Sequence, residues 1–241
     1  MKEPIYFPER DNGTGADCCL NLYTACDLRC SFCDLKERRH KTNMTREEFA
    51  ESTECRKHII RGLAWQLAKW RVDGEESHNI LLGALGDPYP VGCDTTVTRE
   101  AIQMIHEHGH SVTVLTKNPQ KRDFDVLKEK DVYGIVLSTQ GEFAKAFEPL
   151  APSASARIYA LYDAWIKAKC GTMIVMDPLI DPRFAESIIE HTDVDRYVVV
   201  EARGELPLRG RVDWDKLREL AEAKGRVFAA VRNPVYERKE I

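Results

Sequence analysis

The chain has 241 residues, and its 35 Lys and Arg against 39 Asp and Glu give a formal charge of −4. Its 43% hydrophobic and 31% charged residues are typical of a folded protein and exclude a disordered chain. The acidic balance argues against a protein that coats nucleic acid. No apolar run approaches the roughly 18 residues of a membrane helix, and the N-terminus is too polar for a signal peptide, so we expect a cytoplasmic protein.

The eight cysteines are the unusual part of the composition. Five of them lie within sixteen residues, at positions 18, 19, 26, 30 and 33. A disulfide framework is not expected in a chain of this length without an export signal, because the cytosol keeps thiols reduced. Clustered cysteines in that setting indicate metal or redox chemistry.

Predicted strands and helices alternate along the chain. Apolar runs typical of buried strands occupy 18–23, 79–82, 111–115, 133–137, 172–176, 197–200 and 227–231. Helices are predicted over 47–70, 99–108, 154–169, 183–191 and 214–223, with a further helix opened by Asn118-Pro119. Thr45 and Glu48 have the spacing of a capping box at the start of the first helix, and Gly109 ends the second.

This alternation predicts an α/β fold in which helices cover a parallel sheet. About six βα units suit a partial (β/α)6 TIM-like barrel, although a doubly wound sheet gives the same pattern. We expect a single domain over 1–241, with a core at about 17–202 and a C-terminal βα extension at 203–241. In either architecture, ligands bind at the C-terminal ends of the strands.

Cys26, Cys30 and Cys33 form a C-x3-C-x2-C array directly after the first predicted strand. Three thiolates at this spacing can hold three irons of a cubane cluster and leave the fourth iron open to a small molecule. A structural zinc ion is an alternative, with His40 or Cys55 as the nearest fourth ligand, although neither completes a usual pair spacing. Three cysteines without a metal are a further alternative.

The array, with the aromatic Phe32 before its last cysteine, resembles the signature of the radical SAM superfamily. Further short motifs between about residues 17 and 182 are similar, in their order, to those of the spore photoproduct lyase-like branch. They are Asn21-Leu22-Tyr23-Thr24-Ala25-Cys26, Gly86-Asp87-Pro88-Tyr89-Pro90, Leu115-Thr116-Lys117, Glu148-Pro149-Leu150-Ala151-Pro152-Ser153 with Arg157, and Pro178-Leu179-Ile180.

The resemblance implies a [4Fe–4S] cluster on the three cysteines and S-adenosylmethionine (SAM) chelated to the open iron. It places SAM across the strand tips of a partial (β/α)6 barrel, with Phe32 near the adenine. Lys117 would pair with the SAM carboxylate and Ser138 would contact SAM; an exposed lysine and an ordinary strand-end hydroxyl are the alternatives. Asp87 would accept from the SAM ammonium or ribose, but Gly-Asp-Pro is also a turn sequence in its own right.

The resemblance also implies the reaction. A reduced cluster cleaves SAM to methionine and a 5′-deoxyadenosyl radical, which abstracts a hydrogen atom from a substrate in a lyase-like reaction. The electron would come from a flavodoxin- or ferredoxin-type donor. A nucleic-acid base is the first expectation for the substrate, followed by a peptide or small metabolite. A non-catalytic metal-binding or redox-sensing module is the alternative from another class.

The sequence departs from this branch in two places. Spore photoproduct lyases carry a cysteine just before their Asp-Pro turn that returns a hydrogen atom to the product radical, whereas Ala84 and Leu85 stand here. Cys93, six residues past Asp87, is a candidate for a displaced hydrogen donor, with a buried spectator as the alternative. Asp34 follows the third cysteine, where an aromatic residue is frequent in the family.

Two further patterns have alternative interpretations. A basic run just past the cysteines suits phosphate binding or an exposed loop interleaved with Glu37. Three histidines near 108 suggest a metal trio, but histidine is also favoured near a helix C-terminus. The run consists of Lys36, Arg38, Arg39, His40 and Lys41, and the trio of His106, His108 and His110.

Overall fold

The strands of this computed structural model, which describes residues 3–9, 11–202 and 211–231, form one sheet. They are β1 (Ile5–Tyr6), β2 (Cys18–Leu20), β3 (Asn79–Leu82), β4 (Ser111–Thr116), β5 (Val132–Leu137), β6 (Gly171–Met176), β7 (Arg196–Val200) and β8 (Val227–Val231). Their spatial order is their order in the chain. β1 runs antiparallel to β2, and the later neighbours are all parallel.

The order of the strands distinguishes the two predicted architectures. A doubly wound sheet reverses its strand order at a switch point, and this sheet does not. The sheet also stays open, because β1 and β8 are its two edges. The predicted α/β fold with an incomplete, TIM-like arrangement of parallel strands is therefore confirmed.

Helices connect the parallel strands. They are α1 (Leu35–Arg38), α2 (Arg46–Glu51), α3 (Ile59–Asp73), α4 (Thr96–Glu107), α5 (Gly141–Phe147), α6 (Ala154–Ala168), α7 (Pro182–His191) and α8 (Trp214–Glu222). The large apolar core combines strand residues with helix residues such as Leu63 and Phe184. A second cluster on the opposite face contains strand residues, among them Met173 and Val198, and no helix residue. Helices thus cover one face of the sheet, as in a barrel.

The single helix predicted over 47–70 is wrong, because α2 and α3 are separate helices. His58, just before α3, has a left-handed backbone with φ 60°. The intervening chain pairs with the segment after β2, where the Thr24 amide donates to the Glu54 carbonyl over 3.0 Å and Tyr23 bridges Cys55. These long-range bonds replace helical ones. The predicted capping box of Thr45 and Glu48 is confirmed at the start of α2.

The helix predicted to open at Asn118-Pro119 is also wrong. A 3₁₀ turn over Lys121–Asp123 stands in its place. The Asn118 side chain instead donates to the Tyr89 carbonyl over 2.7 Å and joins two loops. The other predicted helices begin and end within three residues of α4, α6, α7 and α8, whereas α1 and α5 were not predicted.

The predicted C-terminal extension is described only in part. Its segments 203–210 and 232–241 lie outside the described residues, and the domain boundaries stay a prediction. Within 211–231, β8 pairs in parallel with β7 and continues the sheet. Among the described helices, none has the length and apolar character needed to cross a bilayer.

Gly83 is a position where the fold requires glycine. It follows β3 with φ +104°, and an added Cβ would overlap the carbonyl oxygen of Leu115. We expect Gly83→Ala to lower the free energy of unfolding by about 2–4 kcal/mol, because backbone strain and the overlap both oppose folding. Urea denaturation followed by circular dichroism measures this loss.

Gly74→Ala is the matched control. Gly74 also has a positive φ of +74°, but an added Cβ there meets nothing within 4 Å. We expect Gly74→Ala to lower the free energy of unfolding by about 1 kcal/mol, because only the backbone strain opposes folding there. Equal losses in the two variants would contradict the role of the Leu115 contact.

Candidate active site

The C-terminal ends of four neighbouring strands bring the predicted site residues to one edge of the sheet. The cysteine loop follows β2, and Asp87 lies in the loop after β3. Lys117 and Ser138 come directly after β4 and β5. This edge is where parallel α/β folds bind their ligands.

The three cysteines of the array lie together on the loop between β2 and α1. Burial, with the Asp87 carboxylate, raises the pKa of Cys26 well above its usual range, and the Cys33 and Cys30 thiols raise it further. Burial also raises the pKa of Cys30, to about 11, although the Lys117 ammonium opposes this. Burial is the main cause at each of the three thiols, including Cys33, so the loop holds them largely away from water.

Backbone contacts fix the shape of this loop. The Cys33 amide donates to the Cys30 carbonyl over 3.1 Å. The Arg46 guanidinium donates from one nitrogen to both the Cys30 and the Cys33 carbonyl, each over 3.1 Å. Arg29, between the first two cysteines, takes a left-handed backbone with φ 55°. The loop is therefore preorganised by its own turns and by a residue of α2.

The chemistry of this loop fits an iron–sulfur cluster. Soft thiolates are the usual ligands of such clusters, and binding iron would release the protons that these high-pKa thiols hold. In the part of the chain that the structure describes, no group of three or more His, Cys, Asp or Glu residues is placed so that it could hold a single metal ion. The thiolates of a cubane bind different irons and need not converge on one point.

Lys117 lies at the centre of a polar network beside this loop. Its ammonium donates to Ser138 Oγ over 3.1 Å, to the Asp177 carbonyl over 3.3 Å and to the Glu148 carboxylate. It also lies 4.7 Å from the centre of the Phe32 ring. The structure thus brings together three residues that the resemblance assigned to SAM: Phe32, Lys117 and Ser138.

Glu148 belongs to this network, although the sequence analysis named it only within a short motif and assigned it no role. Its buried carboxylate accepts from Lys117, from Ser138 Oγ over 2.9 Å and from Arg157 Nη2 over 2.6 Å. Burial alone would raise the pKa of Glu148, but the Lys117 and Arg157 cations outweigh it and lower the pKa to about 2. The Glu-Pro-Leu-Ala-Pro-Ser motif was the sequence feature that pointed to this segment, but it does not reveal which residues contact Glu148.

Arg157 of α6 supports Glu148 from the core. Its side chain is 1% exposed. Its Nε donates to the Pro152 carbonyl over 2.7 Å and its Nη1 to the Val136 carbonyl over 2.5 Å. The guanidinium is thus fixed by the backbone on one side and holds Glu148 on the other.

Asp87 holds two strand ends together. Its Oδ1 accepts from the Tyr89 amide over 2.9 Å and from Thr116 Oγ1 over 2.6 Å. Its Oδ2 accepts from the Lys117 amide over 2.7 Å. Burial raises its pKa although these hydrogen bonds oppose the change. The structure shows that Asp87 stabilises the turn after β3. Its direct contact with SAM stays a prediction.

Cys93 lies in an open cleft of about 280 Å3 beside the cysteine loop. Its thiol donates to the Thr53 carbonyl over 3.1 Å. The cleft is also lined by Asp27, whose carboxylate accepts from the Val91 amide over 3.0 Å and the Gly92 amide over 2.6 Å. The cysteine loop and the loop that carries Cys93 are therefore tied together. The role of Cys93 as hydrogen donor stays a prediction.

The basic run past the cysteines is largely engaged in internal contacts. Arg38 pairs with Asp34 over 2.6 Å, and Arg39 donates to the Leu85 carbonyl over 3.2 Å. The Lys36 ammonium lies 3.5 Å from the Glu37 carboxylate. These contacts favour the interpretation of a loop interleaved with acids.

The three histidines near residue 108 make separate contacts. His106 pairs with the buried Asp131 over 2.9 Å, and the His108 ring contacts the Met104 carbonyl over 2.9 Å. The His110 ring accepts from the His78 amide over 3.1 Å. Because each ring has a different partner, their arrangement is not that of a metal trio.

No protein-family description matches the chain, and neither does any curated protein sequence. Solved structures do match it. Spore photoproduct lyase complexed with dinucleoside spore photoproduct aligns with a TM-score of 0.64 and 15% identity over 92% of this chain and 78% of that one. The chain shares the fold of spore photoproduct lyase.

Two further structures extend this similarity. A double mutant of the lyase with bound AdoMet and dinucleoside spore photoproduct gives a TM-score of 0.67 at 15% identity, over 93% of this chain and 78% of that one. Streptococcus suis SuiB bound to S-adenosylmethionine gives 0.51 at 14% identity, over 90% of this chain and 47% of that one. The resemblance drawn from short motifs is thus confirmed at the level of the fold.

The lowered pKa of Glu148 predicts a pH-dependent contribution to stability. A carboxylate with a pKa of about 2, against an ordinary value of 4.5, stabilises the fold above pH 4.5 and loses this contribution as the pH falls towards 2. We expect Glu148→Gln to be less stable than wild type near neutral pH. The difference should shrink by about 2 kcal/mol as the pH falls from about 6 to about 3.

Glu142→Gln, at an exposed position of α5, is the matched control for this measurement. Urea denaturation of both variants and wild type across this pH range gives the differences. A difference between Glu148→Gln and wild type that does not change with pH would contradict the lowered pKa.

Proposed function

We propose that the chain is a radical SAM enzyme whose Cys26, Cys30 and Cys33 hold a [4Fe–4S] cluster. When bound and reduced by one electron, such a cluster supplies the chemistry that splits SAM into methionine and a 5′-deoxyadenosyl radical, which takes a hydrogen atom from the substrate. The observation that carries this proposal is the preorganised three-cysteine loop beside the Lys117 ammonium. Both lie at the strand tips of a fold shared with spore photoproduct lyase.

Lys117 is proposed to bind the carboxylate of SAM. Its three ammonium hydrogens are directed at Ser138, Glu148 and the Asp177 carbonyl, the last being the longest contact at 3.3 Å. A ligand carboxylate in place of that carbonyl gives the ammonium a charged acceptor instead of a neutral one, which makes the hydrogen bond stronger. The other two contacts keep the ammonium in position during this exchange.

Other residues of the network are proposed to orient the ligand and exclude water. Phe32 would lie near the adenine and Ser138 would contact SAM, while Asp87 contacts the ligand or fixes the strand ends that carry Lys117. The end of α5 covers the cysteine loop, because the Ser31 amide donates to the Phe147 carbonyl over 2.9 Å. This cover shields a reactive radical from solvent.

A nucleic-acid base is the proposed substrate, and a flavodoxin- or ferredoxin-type protein the proposed electron donor. Support for the substrate comes from the lyase structures, which contain dinucleoside spore photoproduct and cover most of this chain. A peptide or small metabolite is the second candidate. It is favoured by the internal pairing of the basic run and by Ala84 and Leu85 at the place of the lyase cysteine.

The proposed function predicts iron-dependent cleavage of SAM. After anaerobic reconstitution with iron and sulfide, wild type should release 5′-deoxyadenosine from SAM and dithionite. Cys30→Ala should lose most or all of this activity, and it should lose its iron as well. Two thiolates cannot hold a cubane that needs three. Chromatography of the nucleoside and iron analysis give the two readouts.

Cys170→Ala is the matched control, since Cys170 is buried in the core away from the cysteine loop. It should keep iron and 5′-deoxyadenosine formation. Two results would refute the proposal that the chain is a radical SAM enzyme. One is zinc at one per chain with no iron uptake, and the other is equal 5′-deoxyadenosine formation by wild type and Cys30→Ala.

The finer proposal concerns the substrate and Cys93. With dinucleoside spore photoproduct as the probe, we expect wild type to consume the lesion. Cys93→Ala should still form 5′-deoxyadenosine but release less repaired dinucleoside, because the product radical lacks its thiol donor. Cys55→Ala, at another half-buried cysteine, should match wild type.

Two results would count against this finer proposal. An untouched lesion in the presence of active SAM cleavage would exclude this nucleic-acid substrate and favour the second candidate. Equal product from wild type and Cys93→Ala would remove Cys93 from the reaction.

A further inference from the structure

Glu148 and Arg157 form a buried ion pair behind Lys117 that the proposed function leaves without a task. We infer that Glu148, clamped by Arg157, is the positioning residue that aims the Lys117 ammonium at the carboxylate of SAM and makes the site selective for that carboxylate. This inference rests on the proposed function, because it assigns a role within the same site.

A chain of short contacts runs from the backbone to the ammonium. Arg157 is fixed by the Pro152 and Val136 carbonyls at 2.7 and 2.5 Å, and its third donor holds Glu148 Oε2 at 2.6 Å. The other oxygen, Oε1, accepts from Lys117 and Ser138. Each carboxylate oxygen thus has its own partners, and the orientation of the carboxyl group is set from the core side.

Lys117 needs such an anchor. A lysine side chain is a flexible stem with a compact charge, and holding its ammonium in one place costs conformational entropy. Without Glu148, two neutral oxygens remain as its acceptors, one on Ser138 and one on the Asp177 carbonyl. With Glu148, the ammonium stays over the Phe32 ring at the tips of β4 and β5.

The charges of this group select the ligand. Two cations, Lys117 and Arg157, face one anion, Glu148, and the exposed fractions of their side chains are 13%, 1% and 0%. Glu148 already pairs with Arg157 over 2.6 Å, so the Lys117 ammonium is the charge of this group that a ligand anion can join. A ligand with a carboxylate supplies that anion, and the same ligand without it does not.

The test compares the dissociation constants of SAM and of decarboxylated SAM by equilibrium dialysis with reconstituted protein. Glu148→Gln should bind SAM roughly tenfold more weakly than wild type, because hydrogen bonds to charged groups contribute strongly. Its affinity for decarboxylated SAM should change less than about twofold, because that ligand does not use Lys117. Lys117→Ala should weaken SAM binding with iron content intact, and adding Glu148→Gln to it should cause no further loss.

Two further variants serve as controls for this test. Glu142→Gln, an exposed glutamate of α5, should leave both constants unchanged. Glu148→Gln leaves Arg157 buried without its carboxylate, so Glu148→Gln/Arg157→Gln removes both charges together in case the single variant does not fold. The double variant should show the same selective loss of SAM affinity.

The outcomes separate the inference from the proposed function. An equal loss of affinity for both ligands, or no loss for either, would show that Glu148 is a structural clamp and overturn the inference alone. Wild-type protein that takes up iron but binds no SAM would instead overturn the proposed function. A further loss when Glu148→Gln is added to Lys117→Ala would place Glu148 on a separate route to the ligand.

Discussion

The attraction between one buried carboxylate and two cations connects the main parts of this site. Glu148 is fully buried, and such a group remains ionised only when charged partners offset the loss of its hydration. Those partners come from different places: Lys117 from the end of β4 and Arg157 from α6. Ser138 joins from the end of β5, and the Asp177 carbonyl from the end of β6. The same contacts therefore tie the ends of β4, β5 and β6 together and hold the Lys117 ammonium at the site.

The parallel sheet makes this convergence possible. Neighbouring strands that run in one direction end at one edge, so residues more than thirty positions apart in sequence meet there. Two side chains then attach the cysteine loop to its surroundings, since Arg46 holds the Cys30 and Cys33 carbonyls and Asp27 holds the chain after β3. The loop is a local element of the sequence, but its shape is set by distant parts of the fold.

The sequence predicted the features that repeat or cluster locally. Strands β3 to β8 are continuous apolar runs, and the cysteine spacing lies within eight residues, so both were recognised. The break between α2 and α3 was not, because the helical pattern continues through residues whose bonds are made to Thr24 and Tyr23. The role of Glu148 was missed for the same reason. Its burial and charge depend on Lys117, 31 residues before it, and Arg157, nine residues after it, and no local pattern encodes that meeting.

The link through Asp27 has a consequence for the cleft beside the cysteine loop. Asp27 follows the first cysteine of the array directly, and its carboxylate receives both the Val91 and the Gly92 amide. The cysteine loop is therefore coupled to the segment after β3, which lies at the mouth of the cleft beside Cys93. Any displacement of the cysteine loop would move one wall of that cleft with it, so a substitution at Asp27 should affect both the loop and the cleft.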